Sequence, residues 1–151
     1  MLTELERAAL EAHASATELS EGVRGDSLSG AVFLGLRLLL EAGRLVREQR
    51  TAGDRSDVTV KGDGSPVTEV ETAIESRLHE LLSSLGSEAT VVGEETGGDL
   101  PDAGLAFAID PIDGTWAFLS ETETYSTTLA LIRDRQTVMG MVANPVTGEI
   151  A

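Results

Sequence analysis

The feature that most constrains the fold is a change of hydrophobic period part-way along the chain. Before Gly86 apolar residues recur at helical spacing, and after it they fall into short runs typical of strands. The pattern predicts helices over about 1–20, about 31–50 and 68–86, and strands over 57–61, 90–93, 105–110, 126–133 and 138–143. A block of helices followed by strands that are joined by short turns predicts an α+β fold, with N-terminal helices and a mostly antiparallel sheet.

The composition limits the partners and the chemistry of the chain. It carries 26 acidic and 11 basic side chains, and the net charge of −15 repels nucleic acid and anionic membranes at long range. No apolar run is long enough for a membrane span and no signal peptide precedes the first helix, which predicts a cytoplasmic protein. Because cysteine is absent, a bound metal would need oxygen or imidazole ligands. The acidity alone fits either a soluble surface or carboxylates that converge on cations.

The most specific motif is Asp-Pro-Ile-Asp-Gly-Thr at 110–115, which follows a predicted apolar strand. The proline fixes its own backbone angle and Gly114 permits a tight turn, so Asp110 and Asp113 can face one cavity with the Ile112 carbonyl between them. Such hard oxygen ligands suit Mg²⁺. An Asp-Gly pair by itself is a common surface turn, but the whole string at a strand end predicts a metal site.

Other polar residues are candidates for the same site when they are considered together with this motif. Glu94 and Glu95 follow the next strand upstream; alone they fit a solvated loop, whereas near the motif one of them could reach a metal. Lys61 either flanks a strand or lies near a bound phosphate. Thr68 and Glu71 have the spacing of a capping box at the start of the third helix.

In order and spacing, these segments resemble the signatures of the inositol monophosphatase family of Mg²⁺-dependent phosphatases. The resemblance runs from about residue 29 to 151, so residues 1–28 are interpreted as a helical extension. It implies that residues 29–151 form the N-terminal, metal-binding part of the family domain, the first half of a layered αβαβα fold. Family members are longer, and their later half supplies a further aspartate and most substrate contacts, for which we find no counterpart here.

The resemblance implies a set of metal ligands. Glu94, Asp110 and the Ile112 carbonyl would bind one Mg²⁺, and Asp110 would bridge to a second that Asp113 also binds; the complete family site holds two or three ions. One ion would activate a water and the other would stabilise the leaving oxygen.

The resemblance also implies the catalytic roles. Thr115 and Glu71 would orient the attacking water, Glu94 would take part through its metal, and the amides of Gly114 and Thr115 would meet the phosphate. Lys61 and Glu95 are further candidates. The family usually has aspartate at the position of Glu71, so the longer side chain places its partnership with Thr115 in question.

Two functions are therefore expected. The first is Mg²⁺-dependent hydrolysis of a small phosphomonoester, incomplete in this chain, with inositol phosphate, histidinol phosphate or a 3′-phosphoadenosine nucleotide as substrate. The second is a truncated or degenerate relative that acts as a metal-binding or association module. The expected partners are a small phosphorylated metabolite and either a second copy of the chain or a missing C-terminal half, because a sheet edge and an apolar face should be uncovered; neither nucleic acid nor a membrane is expected.

Overall fold

The computed structural model describes residues 28–52, 58–62, 64, 66–85 and 87–151. Its elements, in chain order, are α1 (Leu28–Ala52), β1 (Val58–Val60), β2 (Pro66–Thr68), α2 (Glu69–Ser84), β3 (Thr90–Gly93), β4 (Leu105–Asp113), α3 (Thr115–Leu119), β5 (Ser126–Arg133) and β6 (Gln136–Ala143). The helix expected over 1–20 and the helix end expected at Gly86 lie outside the described residues. Within those residues no helix combines the length and the apolar character that crossing a membrane requires.

The strands form two sheets. β3, β4, β5 and β6 make a four-stranded sheet in that order, while β1 and β2 pair separately in an antiparallel ribbon. β3 runs parallel to β4, and the other two pairings of the large sheet are antiparallel. The expected α+β fold with a mostly antiparallel sheet is confirmed. The parallel pair was not predicted, because an apolar run indicates a strand but not its direction.

The helices α1 and α2 cover one face of the large sheet. Alternate residues of the strands point into this interface because successive side chains of a strand face opposite sides. The fully or almost fully buried members include Leu38, Leu39, Val46, Leu78, Val91, Phe107, Leu129 and Leu131. The core thus rests on aliphatic side chains, with Phe107 at its centre.

The opposite face of the sheet is lined by small and β-branched side chains and bounds an open cavity of about 450 Å³. Its outward residues are Val92, Ala108, Ala130, Gly140 and Val142. Val142 on this face is 45% exposed. We call these five residues the outer sheet face.

The edge of the sheet at β6 is paired over part of its length with Ile150 and Ala151. The amide of Val142 donates to the carbonyl of Ala151 at 2.8 Å, and the amide of Ala151 donates back at 2.9 Å. The last residues turn back at 144–149 and pair with β6 because the side-chain carbonyl of Asn144 accepts the amides of Val146 and Thr147.

Candidate active site

The parallel pairing of β3 and β4 brings two carboxylates together. Gly93 lies opposite Ile109, and the amide of Glu94 donates to the Ile109 carbonyl at 3.2 Å. The C-terminal ends of the two strands therefore meet at one edge, although Glu94 and Asp110 are far apart in sequence. The two side chains are hydrogen-bonded to each other and line the open cavity beside the outer sheet face.

The proximity of Glu94 is electrostatically unfavourable for the ionised form of Asp110. Burial first, and then the neighbouring carboxylates of Glu94 and Asp113, together raise the pKa of Asp110 to about 8. The amide of Ile112, which donates to Asp110 Oδ1 at 2.9 Å, opposes this rise. A divalent cation would be stabilising beside such a pair, since its positive charge would offset the repulsion between the two carboxylates.

Asp113 does not join this pair in a compact group. The pairing of β4 with β5 shifts register between Asp110 and Asp113, and Asp113 is exposed, with its Oδ2 3.4 Å from the Ser126 hydroxyl. Among the residues that the structure describes, no group of three or more acidic or histidine side chains is close enough to hold a metal ion. The expected cluster of three carboxylates thus reduces to two, because the irregularity at the end of β4 turns the third towards solvent.

Thr115 and Glu71 meet despite the longer glutamate. The Thr115 hydroxyl donates to Glu71 Oε1 at 2.9 Å and lies 3.4 Å from the Ile112 carbonyl. Glu71 Oε2 accepts the amide and the hydroxyl of Thr68 at 2.6 and 2.9 Å. One carboxylate therefore caps α2 and binds the Thr115 hydroxyl, so the two interpretations of Glu71 from sequence are compatible. Burial raises the pKa of Glu71, and the donors from Thr68 and Thr115 oppose this rise.

Lys61 lies at the acidic edge. Its ammonium nitrogen is 2.9 Å from Glu94 and 2.5 Å from Glu95, and the Glu95 side chain is almost buried. Partial burial lowers the pKa of Lys61, but the two carboxylates outweigh it and raise the pKa above its usual value. Lys61 thus stays charged and connects the end of β1 with the turn after β3.

Gly114 and Thr115 form the start of the short helix α3. Gly114 has a positive φ of +98°, which favours glycine, and its carbonyl accepts the amide of Ala117 at 2.8 Å. The next side chain, Trp116, is 67% exposed. The turn thereby places the Thr115 hydroxyl towards α2 and the indole of Trp116 towards solvent.

Sequence reasoning missed one residue at this site, Glu75. It is completely buried and binds the turn that carries Glu94. A signal was present, since Glu71 and Glu75 have the spacing of the apolar positions Leu78 and Leu82 and therefore share their buried face.

Comparison with known proteins identifies the family. The model of the inositol monophosphatase family matches residues 32–151. The chain belongs to this family. Its Glu94, Asp110 and Thr115 segments all lie inside the matched region, as the resemblance in sequence predicted.

Several of the relatives are named as phosphatases or nucleotidases, whereas others, such as one of Haemophilus influenzae that is 28% identical over 118 residues, are named Nus factor SuhB. The inositol-1-monophosphatase ImpA of Mycolicibacterium smegmatis is 38% identical over 102 residues, which are 65% of this chain and 36% of the relative. A histidinol-phosphatase of Mycobacterium tuberculosis is 32% identical over 114 residues, 76% of this chain and 44% of the relative. A 3′(2′),5′-bisphosphate nucleotidase of Aggregatibacter actinomycetemcomitans is 31% identical over 96 residues.

Solved structures support the fold. An inositol monophosphatase from Zymomonas mobilis is 28% identical with a TM-score of 0.56, and the match covers 87% of this chain and 46% of that one. The IMPase of Thermotoga maritima has a TM-score of 0.66 at 24% identity, over 76% of this chain and 44% of that one. This member of the inositol monophosphatase family thus spans less than half the length of these relatives.

Proposed function

We propose that the chain is the metal-binding part of a Mg²⁺-dependent hydrolase of small phosphomonoesters. The observation that carries this proposal is the Glu94–Asp110 carboxylate pair at the joined ends of β3 and β4, a few residues from the Thr115 hydroxyl bound by Glu71. The phosphatase relatives support the reaction class.

The donors fit Mg²⁺ as hard oxygen ligands. Glu94, Asp110 and the Ile112 carbonyl would bind one ion. A second ion would be bound by Asp110 together with Asp113, whose exposed side chain would have to turn towards Asp110. When bound, Mg²⁺ neutralises charge on the phosphoryl oxygens and makes a water more acidic. With a net charge of −15, the chain itself repels an anionic substrate, which makes the metal the source of attraction.

The chain's own residues would orient the attacking water. Because the Thr115 hydroxyl donates its hydrogen to Glu71, its oxygen lone pairs are available to accept a hydrogen bond from a water. Glu71, with its raised pKa, is the base to which the proton could pass through Thr115. The amides of Gly114 and Thr115, at the start of α3, are the proposed donors to a phosphate oxygen.

The proposed substrate is a small phosphorylated metabolite. Three of the relatives are named for inositol monophosphate, histidinol phosphate and 3′(2′),5′-bisphosphate nucleotides, whose common group is a phosphomonoester. Assignment to one of them rests on substrate contacts that this chain, at less than half the relatives' length, need not contain.

Metal binding is the first test, with Mn²⁺ as a paramagnetic probe for the Mg²⁺ site. Asp110→Asn should weaken Mn²⁺ binding to the 151-residue chain by about tenfold or more, since it removes the charge shared by both proposed ions. Asp102→Asn is the matched control because the Asp102 side chain is 98% exposed and pairs only with Arg135 among the contacts described for it. Equal affinities in the two variants would contradict the proposal.

Turnover is the second test. With millimolar Mg²⁺ and inositol or histidinol phosphate, we expect very weak phosphatase activity from the 151-residue chain, because the proposed second ion has only two carboxylates here. The loss of one leaving-group stabiliser costs a few powers of ten in rate. Robust turnover that disappears in Asp110→Asn would show instead that these residues suffice.

A second candidate is a non-catalytic association module, which the exposed outer sheet face favours. It predicts stable self-association without measurable Mn²⁺ binding. Binding of Mn²⁺ that is lost in Asp110→Asn distinguishes the first function from this one.

A further inference from the structure

Helix α2 carries two buried glutamates one turn apart, and each binds a different loop of the candidate site. Glu71 binds the Thr115 hydroxyl, as described above. The second, Glu75, is 0% exposed and accepts three hydrogen bonds from the turn after β3. The Glu95 amide donates to its Oε1 at 3.0 Å, and the amide and hydroxyl of Thr96 both donate to its Oε2 at 2.7 Å.

The turn is shaped to admit this carboxylate. Gly93 and Gly97 exchange backbone hydrogen bonds of 3.1 Å and so close the turn. A β-carbon at Gly93 would lie 1.9 Å from Glu75 Oε2, 2.3 Å from its carboxyl carbon and 2.6 Å from the Thr96 hydroxyl. Since the carboxylate is buried and held by three donors, it has little room to move aside. The glycine of the Gly-Glu-Glu motif is therefore required by Glu75.

Glu94 lies between the two points at which the turn is fixed. On one side its own amide is bound to the Ile109 carbonyl, and on the other the amides of Glu95 and Thr96 are bound to Glu75. Its backbone is thus constrained from both directions while its carboxylate meets Asp110. Supporting hydrogen bonds of this kind orient the ligands of metal sites.

We infer that Glu75 is a positioning residue, which fixes the turn 93–97 and thereby sets the Glu94 carboxylate against Asp110. Through Glu71 and Glu75, α2 fixes the position of the Thr115 loop relative to the Glu94 turn. This inference rests on the proposed function, because positioning Glu94 matters only if Glu94 binds a metal. The anchoring of the 93–97 turn by Glu75 can be measured independently of metal binding.

The variant that tests this is Glu75→Gln, which keeps the side-chain volume but replaces one acceptor oxygen with an NH₂ group. Whichever way the amide turns, a donor then faces either the Glu95 amide or the donors of Thr96. The matched control is Glu80→Gln on the same helix, because the Glu80 side chain is 68% exposed and pairs with Arg77. Gly93→Ala is a second variant, because its β-carbon would push the Glu75 carboxylate away from the 93–97 turn. It should change the same two measurements in the same direction.

Two measurements are made at a denaturant-free condition in which circular dichroism shows both variants folded. Amide hydrogen exchange by NMR should show at least about tenfold faster exchange at Glu95 and Thr96 in Glu75→Gln, beyond any uniform change in the core. Mn²⁺ titration should show about tenfold to hundredfold weaker binding, the range found when a supporting residue of a metal site is changed. Glu80→Gln should leave both unchanged.

The possible outcomes separate positioning from a purely structural role. Faster exchange at Glu95 and Thr96 with unchanged Mn²⁺ affinity would overturn the inference, because the turn would then not set the ligand. Equal exchange in both glutamine variants would overturn it as well. If the unmodified chain bound no Mn²⁺, the proposed function would fail, while the exchange rates would still decide whether Glu75 anchors the turn.

Discussion

Glu71 shows how one extra methylene changes what a side chain can reach. Its two oxygens face different elements, Oε2 towards the Thr68 amide at the start of α2 and Oε1 towards the Thr115 hydroxyl. A buried carboxylate is tolerated only when donors satisfy it, and here three do. One buried carboxylate therefore both caps α2 and binds the Thr115 hydroxyl.

Shortening this side chain should remove one of its two attachments. In Glu71→Asp the carboxylate cannot span Thr68 and Thr115 together, so a buried donor loses its acceptor. We expect the free energy of unfolding to fall by about 1–3 kcal/mol, measured by urea denaturation. Glu80→Asp, on the exposed side of α2, is the control. Equal stabilities of the two variants would show that the double attachment contributes nothing.

The carboxylate pair predicts a pH dependence of stability in a chelating buffer. The pKa of Asp110 is about 8 in the folded chain against an ordinary value near 3.8, so the folded state keeps a proton that the unfolded state releases. The contribution of Asp110 is fully present below about pH 4 and is lost as the pH rises towards about 8. Urea denaturation of the unmodified chain should show this decline, and Asp110→Asn should lack that part of it. A difference between the two chains that is constant over this range would contradict the assignment.

At the scale of elements, α1 is fixed by a close approach at Gly35 and by the long cationic side chain of Arg50. Gly35 faces the sheet, where a β-carbon would lie 2.8 Å from Met141 Cε and 3.1 Å from Phe107 Cε1. At the other end, Arg50 donates to the carbonyls of Glu121 and Thr122, and its guanidinium lies 5.4 Å from the centre of the Tyr125 ring. The basic C-terminal end of α1 thus binds the loop after α3, beyond any interaction with the helix dipole.

The two glycines inside α1 should respond oppositely to alanine. Around Gly43 the nearest atoms are 4.0 Å from a β-carbon, so Gly43→Ala should stabilise the chain by about 0.5–1 kcal/mol through helix propensity. Gly35→Ala meets the packed Phe107 and should instead destabilise it by about 1–3 kcal/mol. Thermal or urea unfolding of the pair provides the comparison. If Gly35→Ala were as stable as Gly43→Ala, the interface between α1 and the sheet would have room for the added methyl group.

At the scale of the whole molecule, the sequence pattern predicted where several strands lie better than it predicted how they pair. The strands β3 and β5 begin and end where the apolar runs predicted, and the 110–115 motif lies at the end of a strand. The short strand β2 was missed, because three residues that begin with proline carry little strand signal. Sequence also did not predict that β3 runs parallel to β4, although this pairing is what joins Glu94 to Asp110.

The rest of the site depended on packing that a single sequence encodes only weakly. A glutamate on a helix is usually solvated, so the spacing of Glu75 with the apolar positions of α2 is a weak signal, and its contact with the 93–97 turn came only from the structure. The separation of Asp113 from the carboxylate pair likewise comes from the register shift after Asp110, which residue types do not specify.

The outer sheet face leads to a prediction about association. Its side chains are small or apolar, Val142 is 45% exposed, and an exposed apolar surface tends to pair with another apolar surface. We expect the 151-residue chain to self-associate at micromolar concentration in sedimentation velocity. Val142→Glu should shift it towards monomer, because a charge cannot be buried there without a partner. Val60→Glu is the control, since Val60 is 65% exposed on the separate β1–β2 ribbon. A monomeric unmodified chain, or equal effects of the two substitutions, would show that the outer sheet face is not where copies meet.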